Sequence, residues 1–490
     1  MKVFIDNNTG YLNDYHFKSL CLLYFPAEKF PEQDSSSCSV SFTLNKTANG
    51  LRASASVVSP YGNSSAECGE EDIIFTIPTA GEDIAAAVTG KAFLKAGEKL
   101  FGFLPPWGYL TGLRPVKRAR YYLERGFREN KVRRLFENDY NVSSEKTSLS
   151  VRTAYSEIKL LSSITPKNCG VYVSVPFCPT RCDYCSFVSY SNNKLFRLIP
   201  EYLERLANDI KRTGSIIKET GFVPVSVYIG GGTPSFLSEE QLRFLLCAIN
   251  KYIPMDSVRE YSFEGGRPDT LTAQKLGIIK NGGVNRISVN PQSTCQRVLD
   301  AIGRKHTVED FFKAASLAMK CGFSTVNTDL IAGLPEDTFD TFSKTLDDVI
   351  NIGFENITVH TLSIKNASEI KNEYGAFDPV GRLARECVSY AGNTLTERGY
   401  DPYYLYRQKR TVGNGENTGF SLCGHESIYN VMMMEESSTV FACGAGAITK
   451  LVSVDGTRIE RIAFPKYPFE YLERDDGIGE DRIHLFLLKG

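Results

Sequence analysis

Six short apolar runs alternate with amphipathic segments of helical length between residues 170 and 361, and this alternation constrains the fold of the 490-residue chain most. Such runs suit buried strands, and the segments between them can form the helices that connect parallel strands. Right-handed crossovers would curve six units into an incomplete barrel, so we expect an α/β fold with a partial (β/α)6 barrel. Strands are predicted at Val171–Val175, Val225–Ile229, Tyr261–Glu264, Arg286–Val289, Thr325–Ile331 and Asn356–Thr361.

The segments on either side of this alternation have a different character. The N-terminal part shows short strand patterns, such as Ser39–Leu44 and Ile73–Ile77, with polar loops that include residues 59–70. The C-terminal part begins with a predicted helix over Val380–Arg398 and continues as a Tyr- and Gly-rich segment. We therefore predict a small mixed α+β domain over residues 1–165, the barrel over 166–375, and a C-terminal α+β domain on the substrate side over 376–490.

Composition excludes several classes of function. The chain has 56 Lys+Arg and 57 Asp+Glu residues, so it lacks the strong positive potential of an ordinary nucleic-acid-binding protein. The first residues form no secretory signal, and no apolar stretch approaches the ~18 residues of a membrane span. Thirteen scattered cysteines, an odd number, do not resemble a disulfide framework. We expect a soluble cytoplasmic protein, in which a tight cysteine cluster indicates metal binding or catalysis.

Such a cluster follows the first predicted strand directly. Cys178, Cys182 and Cys185 form a C-x3-C-x2-C arrangement. Three thiolates on one loop can hold three corners of a [4Fe–4S] cluster and leave one iron open to a ligand that is not protein. A structural zinc site, which usually has four protein ligands, and three unrelated buried thiols are the alternatives.

Polar or glycine residues also follow the later strands. Gly230–Ser235 is a Gly-Gly-Gly-Thr-Pro-Ser turn, in which the backbone can approach a ligand closely. Glu264, Gln292, Arg304 and Asp329 come after the third, fourth and fifth runs or at their ends. Since parallel strands end on one rim, a single shared ligand explains these residues better than separate structural roles.

Two further features have two interpretations each. Residues 114–134 contain nine Lys/Arg and two acids, which suits either a solvated helical face or an anion site for a carboxylate or phosphate. His360 ends the sixth run and either faces the barrel mouth or packs in the core.

The cysteine spacing after the first barrel strand resembles the radical S-adenosylmethionine (SAM) superfamily. That resemblance implies a [4Fe–4S] cluster whose open iron binds SAM, and a 5′-deoxyadenosyl radical that abstracts hydrogen from the substrate. Closer motifs resemble the oxygen-independent coproporphyrinogen III oxidase family, and three outside the barrel resemble its coproporphyrinogen dehydrogenase (HemZ) branch. The motifs in the barrel are Tyr172–Cys178, Gly230–Ser235, Asn285–Ser293, Gly303–Thr307 and Asp329–Pro335. Those outside it are Gly112–Lys117, Glu426–Asn430 and Gly444–Ile448.

The resemblance also assigns roles residue by residue. It implies that Cys178, Cys182 and Cys185 ligate the cluster and that Tyr172 serves in both SAM binding and catalysis. It implies that the remaining SAM contacts come from Tyr184, Gly231, Gly232, Thr233, Glu264, Gln292, Arg304 and Asp329.

The implied reaction is the oxidative decarboxylation of two propionate side chains of coproporphyrinogen III, giving protoporphyrinogen IX. Arg114 would bind a substrate carboxylate through charge-assisted hydrogen bonds, and an external electron donor and acceptor would be partners. Decarboxylating members of the family have a histidine where this chain has Ser174, and a further cysteine where it has Phe187. Two alternatives are a haem-binding or haem-delivery protein and a radical SAM enzyme that methylates or opens another tetrapyrrole.

Overall fold

The structure is a computed structural model. It describes the chain except for residues 27, 31–37, 78, 186–188, 364–380, 409–410, 475–476 and 489–490. Its contacts divide the chain into two compact units. The first contains Met1–Tyr155 and Leu405–Glu416, and the second contains most of the remainder from Ser156 onward.

The first unit contains a four-stranded sheet in the order β1-β2-β3-β4, with helices. Strands β1 and β2 are parallel, and β2, β3 and β4 are antiparallel neighbours. The elements of this part are β1 Lys2–Asn7, α1 Asp14–Cys21, β2 Ser39–Thr47, β3 Gly50–Ser59, β4 Gly62–Gly69, α2 Gly81–Phe101, α3 Pro115–Glu124, α4 Glu129–Arg134 and α5 Ser144–Leu161, with a 3₁₀ turn at Glu70–Asp72 and a π-helical turn at Leu135–Asp139.

Two expectations for this unit were wrong. Residues 59–70 are largely the strand β4, in which Ala66 and Cys68 are buried and Glu67, which lies between them, is exposed. Its Ser- and Asn-rich composition resembles a loop because only one face of this edge strand is buried. Ile73–Ile77 forms no strand, because Thr76 donates its N–H and hydroxyl hydrogen bonds to the Asp139 carboxylate (both 2.9 Å).

The second unit contains the six predicted parallel strands as consecutive neighbours, so the α/β partial barrel is confirmed. They are β5 Asn168–Val175, β6 Val223–Gly231, β7 Glu260–Phe263, β8 Arg286–Ser288, β9 Thr325–Ala332 and β10 Asn356–Thr361. The helices that accompany them are α6 Asn193–Phe196, α7 Ile199–Thr220, α8 Glu239–Tyr252, α9 Ala273–Asn281, α10 Gln296–Ala301, α11 Val308–Lys320 and α12 Phe339–Ile352, with 3₁₀ turns at Pro234–Phe236 and Pro268–Thr270.

C-terminal strands extend the barrel sheet at both edges and give an 11-stranded order of β11-β12-β10-β9-β8-β7-β6-β5-β13-β14-β15. The three-domain division stays a prediction, and its boundary at residue 375 lies outside the described residues. The C-terminal elements are α13 Arg382–Glu397, β11 Asp401–Arg407, a 3₁₀ turn at Val412–Asn414, β12 Glu416–Ser421, α14 Ile428–Glu435, β13 Thr439–Cys443, β14 Ile448–Val452, β15 Ile459–Ala463, α15 Pro468–Glu473 and α16 Gly477–Leu488.

Local sequence determines where the barrel helices begin and end. Ser238, Thr307 and Thr338 each cap a helix through the side chain and form a reciprocal capping box with the residue three positions on. Gly221 and Gly353 follow α7 and α12 in the left-handed conformation that ends a helix. No helix formed by the described residues is long and apolar enough to cross a membrane.

The segment before α14 packs against the first residues of the barrel strands. Glu260 begins β7, is buried, and accepts hydrogen bonds from the Ser427 hydroxyl (2.9 Å) and the Ile428 N–H (2.6 Å). Arg286 begins β8, lies 3.6 Å from Glu260, and donates to the carbonyl oxygens of His425 and Glu426. The motif 426–430 therefore contacts the amino ends of the strands, at the opposite end from the cysteine loop.

Glu260→Gln should lower the free energy of unfolding by about 3 kcal/mol, because it leaves the buried Arg286 charge without its anion and places an amide donor near the Ile428 N–H. The measurement is urea denaturation followed by circular dichroism. Glu219→Gln, on an exposed position of α7, is the control and should change the value by less than about 0.5 kcal/mol. Equal stability of the two variants would contradict the structural role of Glu260.

Candidate functional site

The cysteine loop leaves the carboxyl end of β5, as predicted. Cys182 is buried, and Cys178 and Cys185 are half-buried. The Cys178 N–H donates to the Tyr190 carbonyl (3.0 Å), and the Cys185 N–H donates to the Cys182 carbonyl (3.0 Å), so the backbone of the loop is held on both sides of the motif. Burial raises the pKa of the Cys178 thiol, so a bound cation is what would favour its thiolate form.

Two buried arginines approach the sulfur of Cys182. The Nη1 atom of Arg267 lies 3.8 Å from this sulfur, and that of Arg304 lies 4.0 Å from it. Asp269 accepts two hydrogen bonds from Arg267 (both 2.9 Å) and fixes the plane of the guanidinium. Arg304 donates to the Tyr184 hydroxyl (2.9 Å). Both guanidinium groups place positive charge next to this sulfur.

The glycine turn after β6 packs directly on the cysteine loop. Thr233 Oγ1 lies 3.3 Å from the Cys178 sulfur. A Cβ on Gly232 would meet the same sulfur at 2.9 Å, and one on Gly231 would meet Ser174 Oγ at 2.9 Å. Gly231 also has φ of 112°, which other residues rarely adopt. Glycine is thus required here for close contact between the two loops.

Two carboxyl groups meet at the rim of the barrel. The Asn290 Nδ2 group donates to both Glu264 Oε1 and Asp329 Oδ2, each at 2.9 Å. Tyr228 and Ser288 also donate hydrogen bonds to Glu264. Burial, and secondly the charge of Glu264, raise the pKa of Asp329 well above its usual range, so this acid holds its proton more tightly than an exposed one.

Several polar atoms around this pair are buried and have no hydrogen-bond partner among the described residues. They are Asn290 Oδ1, Gln292 Oε1 and Arg304 Nε. Gln292 has φ of 68° and continues the rim, since its N–H donates to the Asp329 carbonyl (3.3 Å). Unsatisfied buried polar atoms at one rim fit a polar ligand that supplies the missing hydrogen bonds.

Three tyrosine rings stack side by side in the barrel. Tyr228 and Tyr429 have ring centroids 4.5 Å apart, and Tyr172 lies 6.2 Å from Tyr228 and 6.1 Å from Tyr429, all nearly parallel. Tyr172 thus packs in this stack, whereas Tyr184 lies on the cysteine loop beside Arg304.

Arg114 immediately precedes α3 in the first unit and is half-buried. Its role in binding a carboxylate stays a prediction. Several other basic residues of 114–134 have structural partners: Arg118 pairs with Asp83, and Arg133 pairs with Glu129. For Arg118 and Arg133, these ion pairs support the interpretation as a solvated helical face rather than an anion site.

Sequence reasoning missed Arg267 and gave no role to Asn290 or Tyr228. Arg267 follows Gly265 and Gly266 at the end of β7, much as Arg304 follows Gly303, and this glycine–arginine pattern was the available signal. Tyr228 was detectable only by assuming that alternate residues of β6 face the interior.

This chain differs from the decarboxylating members of the family at Ser174 and Phe187. Phe187 lies outside the described residues. Ser174 donates a hydrogen bond to the Ala445 carbonyl (2.9 Å). A Cβ on Gly444 would meet the Ser174 carbonyl at 2.6 Å, so the loop after β13 fills the space next to this position. A side chain larger than serine would need that loop to move.

The fold and the site define the class of protein. The model of the radical SAM superfamily matches residues 172–349. Over 390 residues the chain is 35% identical to the "oxygen-independent coproporphyrinogen-III oxidase-like protein HemZ" of Bacillus subtilis (strain 168), covering 78% of this chain and 77% of that protein. The chain belongs to this family of radical SAM proteins.

One further relative and one solved structure are also similar to this chain. "Heme chaperone HemW" of Bacillus subtilis (strain 168) is 35% identical over 312 residues, covering 61% of this chain and 77% of that protein. The solved structure of coproporphyrinogen III oxidase (HemN) from Escherichia coli matches with a TM-score of 0.52 at 21% identity, covering 66% of this chain and 73% of that chain. The likeness to the solved structure supports the fold.

As a member of this superfamily the protein uses a [4Fe–4S] cluster and SAM, and the observed residues fit both. Among the described residues no three cysteine, histidine or carboxylate side chains converge as ligands of a single metal ion would. In a [4Fe–4S] cluster each thiolate binds a different iron, so the cysteine side chains do not need to converge on one point. Which residues bind the cluster and SAM stays a prediction.

Each of the substitutions Cys178→Ala, Cys182→Ala and Cys185→Ala should abolish most of the iron bound after anaerobic reconstitution, because each removes one of three thiolate ligands. Iron analysis and the thiolate-to-iron absorption band are the measurements. Cys247→Ala, at an exposed position of α8, is the control and should bind iron like the wild type. Full iron content in any of the three variants would contradict the assignment.

Asp329→Asn should flatten the pH dependence of stability in protein without SAM. As the pH rises above the unfolded-state pKa of about 4, the unfolded chain releases this proton while the folded protein retains it, so stability falls until the raised folded-state pKa is passed. The free energy of unfolding measured across this range should decline less in the variant. Asp256→Asn, on an exposed turn, is the control, and equal slopes for wild type and Asp329→Asn would refute the prediction.

Proposed function

We propose that this protein is a radical SAM enzyme of tetrapyrrole metabolism that converts coproporphyrinogen III to protoporphyrinogen IX without oxygen. The observation that carries this proposal is the shared strand-end rim, on which the cysteine loop, the glycine turn and the Glu264–Asn290–Asp329 set meet. The printed name of the HemZ relative supports the class of substrate.

When bound, the cluster and SAM would supply an organic radical that removes a hydrogen atom from a substrate propionate. That propionate then loses carbon dioxide and one electron, which leaves a vinyl group, and an external acceptor takes the electron. Two propionates react in this way. An external donor supplies the electron that generates each radical.

The residues of the chain hold and orient these groups. The three cysteines would ligate the cluster, and Arg267 and Arg304 place positive charge next to the sulfur of Cys182. The backbone of the glycine turn, together with the carboxyl pair, offers donors and acceptors for the amino, carboxylate and ribose groups of SAM.

Arg114 would bind one of the substrate carboxylates that do not react. A guanidinium forms two parallel hydrogen bonds with a carboxylate, which gives both orientation and attraction. This role rests on the sequence motif 112–117 alone.

Haem delivery is the second candidate function. It is favoured by the similarity to the HemW relative and by Ser174, whose surroundings are filled by the Gly444–Ala445 loop. A third candidate is methylation or ring opening of another tetrapyrrole. All three share the cluster-binding rim and differ in the fate of the tetrapyrrole.

An anaerobic assay distinguishes these functions. Reconstituted protein is incubated with SAM, a reductant and coproporphyrinogen III, and the products are analysed by mass spectrometry. We expect loss of two carboxyl groups together with 5′-deoxyadenosine, and no such product with the Cys182→Ala variant. Haem binding without 5′-deoxyadenosine would overturn the proposal in favour of delivery, and a methylated or opened macrocycle would overturn it in favour of the third function.

A further inference from the structure

Arg267 reaches the cysteine loop from a tight turn at the end of β7. Its backbone N–H donates to the Gly265 carbonyl (2.7 Å) across Gly266, whose φ of 62° other residues rarely adopt. The carbonyl of Arg267 accepts a hydrogen bond from the Thr270 hydroxyl (2.8 Å). The backbone is therefore fixed on both sides of Arg267, and the residue is only 3% exposed.

Asp269 determines which nitrogen of this guanidinium meets the cysteine loop. Nε and Nη2 of Arg267 each donate to one oxygen of the Asp269 carboxylate (both 2.9 Å), and such a paired contact fixes the plane of the group. Nη1 is then the nitrogen that faces the loop. It donates to the Thr180 hydroxyl oxygen (2.8 Å) and lies 3.8 Å from the Cys182 sulfur, which can accept a weak hydrogen bond.

Arg267 and Arg304 both lie near this sulfur, but they are held in different ways. Arg304 donates to the Tyr184 hydroxyl and to the Asn290 carbonyl, and its position is one that the family resemblance assigns to SAM. Arg267 forms an ion pair with Asp269, so its position next to Cys182 is set by the protein alone.

A fixed positive charge at a ligand sulfur affects the redox properties of an iron–sulfur cluster. The reduced cluster carries one more negative charge than the oxidised one, so a nearby cation stabilises the reduced form. Hydrogen bonds to the sulfurs are among the features that set the reduction potential of such clusters.

We propose that Arg267 is a positioning residue that, held by Asp269, raises the reduction potential of the cluster through the sulfur of Cys182. Its role is to ease the transfer of one electron from the external donor to the cluster. This role rests on ligation of the cluster by Cys182, and it is the same for each of the three candidate functions of the protein.

Arg267→Gln removes the charge and keeps an amide that can donate a hydrogen bond. We expect the equilibrium constant for one-electron reduction of the reconstituted cluster to fall about tenfold, which corresponds to a midpoint potential ~59 mV more negative. The measurement is an anaerobic potentiometric titration without SAM, followed by the electron paramagnetic resonance signal of the reduced cluster. Arg297→Gln, at an exposed position of α10, is the control and should keep the wild-type potential.

Asp269→Asn tests the same charge in the opposite direction. The amide oxygen still accepts from Arg267, but the negative charge that compensates the guanidinium is lost, so the potential should become more positive. Asp256→Asn, on an exposed turn, is the matched control. A merely structural role of Arg267 would lower the iron content of both variants without moving the potential of the cluster that forms. Unchanged potentials, or shifts of Arg267→Gln and Asp269→Asn in the same direction, would overturn the inference.

The titration contains neither SAM nor coproporphyrinogen III, so its outcome is independent of the proposed reaction. If the wild type decarboxylates coproporphyrinogen III while both variants keep the wild-type potential, the inference falls and the proposed function stands. If the wild type makes no decarboxylated product but the two potentials move apart as expected, the proposed function falls and the role of Arg267 stands.

Discussion

The parallel pairing of six strands is the constraint on which the rest of the structure depends. Parallel strands end on the same rim, so residues separated by more than 150 positions in the chain, such as Cys178 and Asp329, come to the same end of one sheet. Residues 176–185 of the cysteine loop form no helix or regular strand. Side chains from later parts of the barrel contact this loop: Thr233 after β6, Arg267 after β7 and Arg304 after α10. Loss of the parallel order would therefore remove the site together with the barrel.

The polar groups around Glu260 and those around Asn290 lie at opposite ends of the barrel and have different surroundings. At the amino end, the Glu260 carboxylate accepts from Ser427 and Ile428 and lies beside Arg286, so the buried charge is compensated within the protein. At the carboxyl end, buried polar atoms of Asn290 and Gln292 have no partner among the described residues. Because an unsatisfied buried polar group destabilises a fold, these atoms fit a polar ligand that completes their hydrogen bonding.

The sequence was sufficient to predict the parts that depend on local periodicity. Strand β10 begins and ends where the pattern of apolar residues indicated, and the cysteine loop follows β5 as expected. The contacts of Arg267 with Cys182 could not be predicted, because they depend on how two loops from different strands approach each other. Strand β4 was mistaken for a loop because an edge strand with one exposed face has the composition of a loop. The contacts between residues that are distant in the chain, rather than most of the secondary structure, could therefore not be predicted from the sequence.

The paired carboxyl groups make the protonation of Asp329 sensitive to its surroundings. Burial raises the pKa of Asp329, and the charge of Glu264 raises it further because two ionised carboxylates repel each other. On the proposal that this pair contacts SAM, the positive charges of the ligand would favour the ionised form of Asp329. Binding would then release the proton of Asp329, because the charge of the ligand offsets the repulsion that arises when both acids are ionised. Affinity for the ligand should therefore increase with pH over the range in which Asp329 titrates.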